Sequence, residues 1–269
     1  MSYKWIVMDM DGTLTNSEKK ISERTKLALI QAQQKGAKLV LASGRPTPGL
    51  YKEAYELEMD RYGGILMSFN GARVIEFPSE KVLYNHVVPA KCKRPIINNA
   101  RALNMSVMIH DGDSVIVEDE HAYQSEYEAS ICHMKIKVVD DLNEYVEHVD
   151  PNKFLVSAPA DYVKAQLEEF RLPFGDMLTI CTSAPFYIEV VDNGIDKGGC
   201  LSQLSETMGI HREEMIGFGD EMNDLTMLQY VGCGVAMGNA VKAIKLVADR
   251  ITASNDEDGI ALVIEDLFA

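Results

Sequence analysis

Trp5-Ile6-Val7-Met8-Asp9-Met10-Asp11-Gly12-Thr13-Leu14 runs four consecutive apolar residues into two carboxylates one residue apart, then a glycine. A short unbroken apolar run reads as a strand buried on both faces, the habit of parallel sheets. The next segments keep the rhythm. Ser22 is placed to cap a helix running to about Lys35, and Gly36 to end it. Leu39-Val40-Leu41-Ala42 is a second buried strand, a helix fits about Leu50 to Leu57, and a third strand fits Gly64 to Phe69. This β-α-β-α-β order predicts an α/β fold with a doubly wound parallel sheet.

The middle of the chain has another character. Ser106–His110 and Ser114–Val117 flank Asp111-Gly112-Asp113, a hairpin signal. Strands are expected near 135–139, 153–158, 177–182 and 186–191, with helices at 91–103, 122–131 and 161–170. Hairpins among helices predict an α+β unit with an antiparallel sheet, inserted over residues 85–191. The α/β alternation returns after Asp192: helices at about 198–208, 222–230, 241–249 and 259–267, and strands at 215–218 and 234–236. The expected division is a core of residues 1–84 and 192–269 carrying one inserted domain.

A composition of 46% hydrophobic and 25% charged residues supports a packed core and argues against global disorder. The net charge of -15 disfavours nucleic acid and anionic membranes as partners, and any site for a phosphate ester would need local cations. Five scattered cysteines (Cys92, Cys132, Cys181, Cys200 and Cys233) form no CxxC pair, so reduced, mostly buried thiols in a cytoplasmic protein are expected rather than disulfides or a zinc site. The apolar run at Trp5–Met8 is too short for a signal peptide or a membrane span. His110, His121 and His133 read as surface or packing residues, and the 14 methionines as core filling.

Four segments carry chemistry. Asp9 and Asp11 stand just beyond a buried strand, where open α/β sheets bind ligands. Carboxylates crowded there repel unless a proton or cation lies between them, and a hard, oxygen-seeking Mg²⁺ suits the place. A plain Asp-x-Asp-Gly surface turn is the competing reading. A helix-loop-helix calcium loop fails, because Gly12 comes too early and Lys20 stands where the closing glutamate belongs. Ser43-Gly44-Arg45 also follows a strand, and its hydroxyl and glycine backbone could bind phosphate, though Ser-Gly is an ordinary turn. Asp196-Lys197-Gly198-Gly199 opens a helix, where anions are attracted but a lysine is usually solvated. Gly217-Phe218-Gly219-Asp220-Glu221-Met222-Asn223-Asp224 packs acids and an amide at another strand end. Asp220 is the best metal ligand there, and helix capping by Asp220 or Asn223 is the alternative. Met222 occupies the third glycine position of a dinucleotide fingerprint, and no Walker-type loop occurs. A parallel sheet brings these ends to one edge, an inventory suited to phosphoryl transfer.

Taken together, Asp9-Met10-Asp11-Gly12-Thr13, Ser43-Gly44-Arg45, Asp196-Lys197-Gly198 and Gly219-Asp220-Glu221-Met222-Asn223-Asp224 resemble the motifs of the haloacid dehalogenase superfamily of phosphohydrolases, in order and spacing. Ser68-Phe69-Asn70-Gly71-Ala72, Val235-Ala236-Met237-Gly238-Asn239-Ala240, Asn255 and Asp258-Gly259 narrow the resemblance to the Cof-type branch, over residues 9 to 259. The resemblance implies a Rossmann-like core with an α/β cap between the second and third motifs, and a Mg²⁺-dependent phosphatase of small metabolites such as sugar phosphates. It implies that Asp9 is the nucleophile and becomes an aspartyl-phosphate, with Asp11 as acid and then base. Mg²⁺ would be held by Asp9 and Asp220 carboxylates and the Asp11 backbone carbonyl. Ser43, Lys197 and Asn223, with main-chain groups of Met10 and Gly44, would bind phosphate. Asp224 would support Lys197 or the metal, and Arg45 and Asn70 are candidate substrate contacts. The cap would choose the substrate. A phosphosugar mutase on the same core and a non-catalytic binding module are the alternatives; the oligomeric state is not legible.

Overall fold

The computed structural model describes residues 3–268, which form two compact units. One unit runs to Tyr84 and resumes at Asp196; the other spans Asn85–Ile195. In chain order the first unit supplies β1 (Trp5–Met8), β2 (Lys38–Ala42), β3 (Gly64–Ser68), β4 (Arg73–Phe77) and β5 (Val82–Asn85). The second supplies β6 (Ser106–Asp111), β7 (Ser114–Val117), β8 (Lys135–Val138), β9 (Phe154–Ser157), β10 (Leu178–Ala184) and β11 (Tyr187–Asp192). The first unit ends with β12 (Met215–Gly219), β13 (Cys233–Ala236) and β14 (Arg250–Ile251).

The sheet of the first unit has the order β14-β13-β12-β1-β2-β3-β4-β5 and is parallel from β14 through β3. β1 lies between β12 and β2 with all four residues buried, which is why its sequence is apolar without alternation. The fold is therefore the expected Rossmann-like α/β core. β4 and β5 are strands beyond those expected from the sequence. Asn70-Gly71 turns the chain back so that β4 pairs antiparallel with β3, and β5 closes the sheet as a largely exposed edge.

Local chemistry fixes the helices that carry the motifs. Ser22 accepts the Thr25 amide at 3.1 Å and starts the helix Glu23–Gln34. Asp196 accepts the Gly199 amide at 2.9 Å, so the next motif helix begins at Lys197, one residue earlier than expected. The single helix expected over 222–230 is instead a 3₁₀ turn, Met222–Asp224, followed by the helix Leu225–Tyr230. The cause is the Asp224 carboxylate, which folds back to accept the Asp220 and Glu221 amides at 2.9 and 3.1 Å.

The second unit holds a sheet of order β10-β11-β9-β6-β7-β8, antiparallel except where β8 joins β7 in parallel. Asp111 pairs with Ser114 across the expected hairpin turn, with Gly112 at φ +56°. Asp192 still pairs with Leu178, so the unit extends past residue 191 to Ile195. Phe154, Phe170, Phe174 and Ile188 fill its core. His110 is a buried packing residue bonded to Glu128 at 2.9 Å, and Lys153 is buried against Glu189 at 2.8 Å. All five cysteines are free, and only Cys181 is exposed. Among the described residues, no helix is long and apolar enough to cross a membrane.

Candidate active site

β1, β2 and β12 point their carboxyl ends the same way, and the motif residues follow those ends directly. Asp9 is the first residue past β1 and is buried; its amide donates to Phe218 O at 3.1 Å across the sheet. The turn after it closes on Met10, whose carbonyl accepts the Thr15 amide at 2.9 Å and the Thr15 hydroxyl at 3.0 Å. Gly12 makes that turn possible. Its φ is +85°, and a Cβ there would stand 2.3 Å from Asp220 Oδ2.

Lys197 is wholly buried, so the competing reading of a solvated helix-start lysine does not hold. Its ammonium donates to Asp9 Oδ1 and, at 2.6 Å, to Asp224 Oδ1. Gly198 lets the helix come this close, since a Cβ would meet Thr226 O at 2.3 Å. Burial alone would lower the lysine pKa, but Asp224 and Asp9 outweigh it and hold the ammonium charged. Asp220 accepts the Thr13 hydroxyl at 2.7 Å and the Asn239 amide at 3.4 Å; that amide also donates to Gly12 O at 2.8 Å.

On the β2 side, Ser43 is buried, and its Oγ accepts the Arg45 amide at 3.1 Å. Arg45 grips Asp11 with a two-pronged contact, Nε to Oδ2 at 2.8 Å and Nη2 to Oδ1 at 2.7 Å. Lys19 adds a contact to Asp11 Oδ1 at 2.8 Å. Burial would raise the Asp11 carboxyl, but Arg45 and Lys19 prevail and hold it below the usual range. Asn70 reaches Asn223, whose Nδ2 donates to Asn70 Oδ1 at 3.1 Å, and a Cβ on Gly44 would lie 3.2 Å from the Asn70 amide.

The sequence-predicted residues thus form two linked groups. Asp9, Lys197, Asp220 and Asp224 make a buried cluster; Asp11, Ser43, Gly44, Arg45, Asn70 and Asn223 line the β2 and β3 ends beside it. Sequence reading missed Lys19, Thr13 and Asn239 as partners. Thr13 and Asn239 lie inside quoted motifs, whereas nothing in the sequence marks Lys19.

The acidic cluster fits a divalent cation. Carboxylate oxygens of Asp9, Asp220 and Asp224 lie within 4.8 Å of one another. Burial and the Asp224 charge push Asp9 up to about 8 despite Lys197, and burial pushes Asp220 up to about 6. Such shifts record first the cost of burying carboxylates and then their mutual repulsion, both of which a cation would relieve. Both oxygens of Asp224 already serve Lys197 and two backbone amides. Asp9 and Asp220 likewise accept hydrogen bonds, Asp9 from Lys197 and Asp220 from Thr13 and Asn239. The hard oxygen donor set suits Mg²⁺. Lys197, Arg45 and Lys19 bring positive charge to this edge of a chain of net charge -15, each paired with Asp9 or Asp11.

A Rossmann-like sheet with paired carboxylates beyond its central strand, a buried lysine and a third acid points to a class, the phosphohydrolases. The chain belongs to the haloacid dehalogenase-like hydrolases, whose family pattern matches residues 6–264. It is similar to a solved haloacid dehalogenase-like hydrolase from Bacteroides thetaiotaomicron, with 38% identity, a TM-score of 0.93, and 99% of this chain and 100% of that one covered. It is also similar to the 5-amino-6-(5-phospho-D-ribitylamino)uracil phosphatase YitU of Bacillus subtilis, at 30% identity over 98% of this chain and 97% of that protein. The phosphatase YwpJ of the same organism is 28% identical over 98% of this chain and the whole of that protein. The chain is a phosphatase, a phosphoric monoester hydrolase of the Cof-type branch.

Proposed function

We propose that the protein is a Mg²⁺-dependent phosphatase of small phosphorylated metabolites, sugar phosphates foremost, acting through an aspartyl-phosphate on Asp9. The observation that carries this reading is the meeting of Asp9, Lys197 and Asp220 in one buried cluster, with Asp11 two residues from Asp9.

Asp9 attacks phosphorus while Lys197 holds one Asp9 oxygen and offers its charge to the phosphoryl group. Asp11 gives a proton to the leaving alkoxide as the P–O bond breaks. It then takes a proton from the water that attacks the phosphorus of the aspartyl-phosphate, which restores Asp9 and releases phosphate. Two displacements are each easier than one. Arg45 and Lys19 hold Asp11 as the carboxylate that the second step needs. A phosphoryl dianion sharing their charge raises its proton affinity for the first. Ser43, Asn223 and the main chain at Met10 and Gly44 bind phosphoryl oxygens. Asp9, Asp220 and the Asp11 carbonyl would hold Mg²⁺, which when bound neutralises charge on the phosphoryl group.

A phosphate carried on a ribityl chain, in the named substrate of one relative, supports a small polyol or sugar ester. Free cysteines and the absence of a membrane-crossing helix among the described residues fit work in the cytoplasm on such metabolites. The test is phosphate release with and without Mg²⁺ from a panel of sugar phosphates, nucleotides and cofactor phosphates. Metal-dependent release lost in Asp9→Asn is expected. An equally active Asp9→Asn would remove the nucleophile from this reading.

A further inference from the structure

Asp11 is the more exposed member of the carboxylate pair, with 38% of its side chain open to solvent. A short side chain so exposed samples several rotamers, and proton transfer demands one of them. The structure supplies a clamp. The two prongs of Arg45 engage both Asp11 oxygens in the planar fork that fits a carboxylate. Arg45 is itself only 13% exposed, and its Nη1 donates to Gly49 O at 3.3 Å. Behind it lies Glu53, buried on the helix Tyr51–Glu56, with Oε1 at 4.0 Å from Nη1. Glu53 Oε2 has no hydrogen-bond partner among the described residues, and its other oxygen is the one that faces Arg45. Burying a charge is costly unless it is paired, which makes Glu53 a poor filler and a good anchor.

We infer that Arg45, anchored by Glu53, is the positioning residue for Asp11, and that it acts on proton transfer to the leaving group rather than mainly as a substrate contact. This rests on the phosphatase reading above. The carboxylate–guanidinium–carboxylate relay joins the β1 end, the β2 end and the helix after it. It holds the Asp11 carboxyl by both oxygens in one orientation. When Asp11 gives up its proton, the fork receives the new carboxylate without rearrangement.

The test separates positioning from phosphate binding by the leaving group. An alkyl phosphate needs a proton on its departing oxygen; p-nitrophenyl phosphate departs as a stable phenolate and needs none. The parameter kcat/KM reports only the first chemical step, so turnover of the aspartyl-phosphate does not enter it. Arg45→Lys keeps the charge and loses the fork, Arg45→Met loses both, and Glu53→Gln loosens the anchor. Each is assayed on the alkyl phosphate of the panel with the highest kcat/KM, and on p-nitrophenyl phosphate. The ratio of alkyl to aryl kcat/KM is expected to fall about 10- to 100-fold in both Arg45 variants, part of the effect of a general acid. It should fall less, in the same direction, in Glu53→Gln. In Asp11→Asn the ratio should already be low, and adding Arg45→Lys should lower it no further. Equal losses on both esters, or no loss, would overturn the inference and leave Arg45 as a phosphate ligand or a bystander. If the Arg45 variants do not fold, Glu53→Gln decides alone by the same ratio. A wild type that hydrolyses neither ester would sink the phosphatase reading itself, which is a different result.

Discussion

Lys197 and Asp224 form an ion pair from which water is excluded: Nζ lies 2.6 Å from Oδ1, and both side chains are wholly buried. The pair ties the start of the helix Lys197–Met208 to the turn after β12, and the same ammonium reaches Asp9. Removing one partner of a buried pair strands the other charge and costs about 3–5 kcal/mol. Lys197→Met strands two carboxylates, Asp9 and Asp224. Asp224→Asn leaves Lys197 still paired with Asp9. Lys197→Met should therefore lose about 3–5 kcal/mol in urea unfolding at neutral pH and be inactive, and Asp224→Asn should lose less. A Lys197→Met protein as stable as the wild type would mean the pair contributes nothing net.

Asp9 and Asp220 link metal to pH. Both carboxyls stand above their ordinary value of 3.8, Asp9 at about 8 and Asp220 at about 6, chiefly through burial. A group whose folded pKa is raised contributes stability that is fully present below the unfolded pKa and is lost as pH rises through the folded one. For these two groups the metal-free protein should lose stability between about pH 4 and 8. Magnesium, by pairing with the ionised carboxylates, should restore most at the alkaline end. Melting temperatures at pH 5.5, 7 and 8.5, with chelator and with Mg²⁺, read this directly. A Mg²⁺ increment that shrinks as pH rises would contradict the assignment of these two acids as ligands.

Gly12 has no tolerated replacement. At φ +85° an L-residue is strained by about 1–2 kcal/mol, and its Cβ would also displace the Asp220 carboxylate from 2.3 Å. Gly12→Ala should lower stability by at least that strain and reduce phosphate release far more than stability, because the clash falls on a proposed metal ligand. Unchanged Mg²⁺ affinity in Gly12→Ala would show that Asp220 can yield without consequence.

The parallel half of the core was legible because buried strands carry unbroken apolar runs, and because each motif acid follows one of them: Asp9 after Met8, Asp220 after Gly219. β4 and β5 were not, since Arg73–Phe77 is neither an unbroken apolar run nor a strict alternation, and no residue of Val82–Asn85 is buried. The Lys197 cluster could be named from its residue types, but its depth could not. Only Gly198, with Thr226 against its missing side chain, brings the helix close enough to bury the lysine. The Arg45–Asp11 contact joins residues 34 apart, and Lys19 reaches Asp11 from an exposed turn. Neither contact leaves a spacing or periodicity to read, because one depends on where two loops meet and the other on how the loop after β1 folds on itself.

Asn70 supplies the sharpest test of backbone against side chain. Phe69 and Asn70 both sit in the left-handed region, at φ 52° and 55°, between β3 and β4. Asn70 donates its amide to Ser43 O at 2.8 Å and accepts from Asn223, so it joins the ends of β2, β3 and β12 around the proposed phosphate position. Asparagine tolerates this region better than alanine, and glycine adopts it freely. In most positions glycine is the more destabilising replacement; here the order should invert, with Asn70→Ala less stable than Asn70→Gly by about 1 kcal/mol. Both variants lose the contact to Asn223, so both should bind inorganic phosphate as an inhibitor several-fold more weakly and by the same factor. Equal stabilities would deny that the turn is strained. Unequal phosphate binding would locate the effect in the backbone rather than in the Asn70–Asn223 contact.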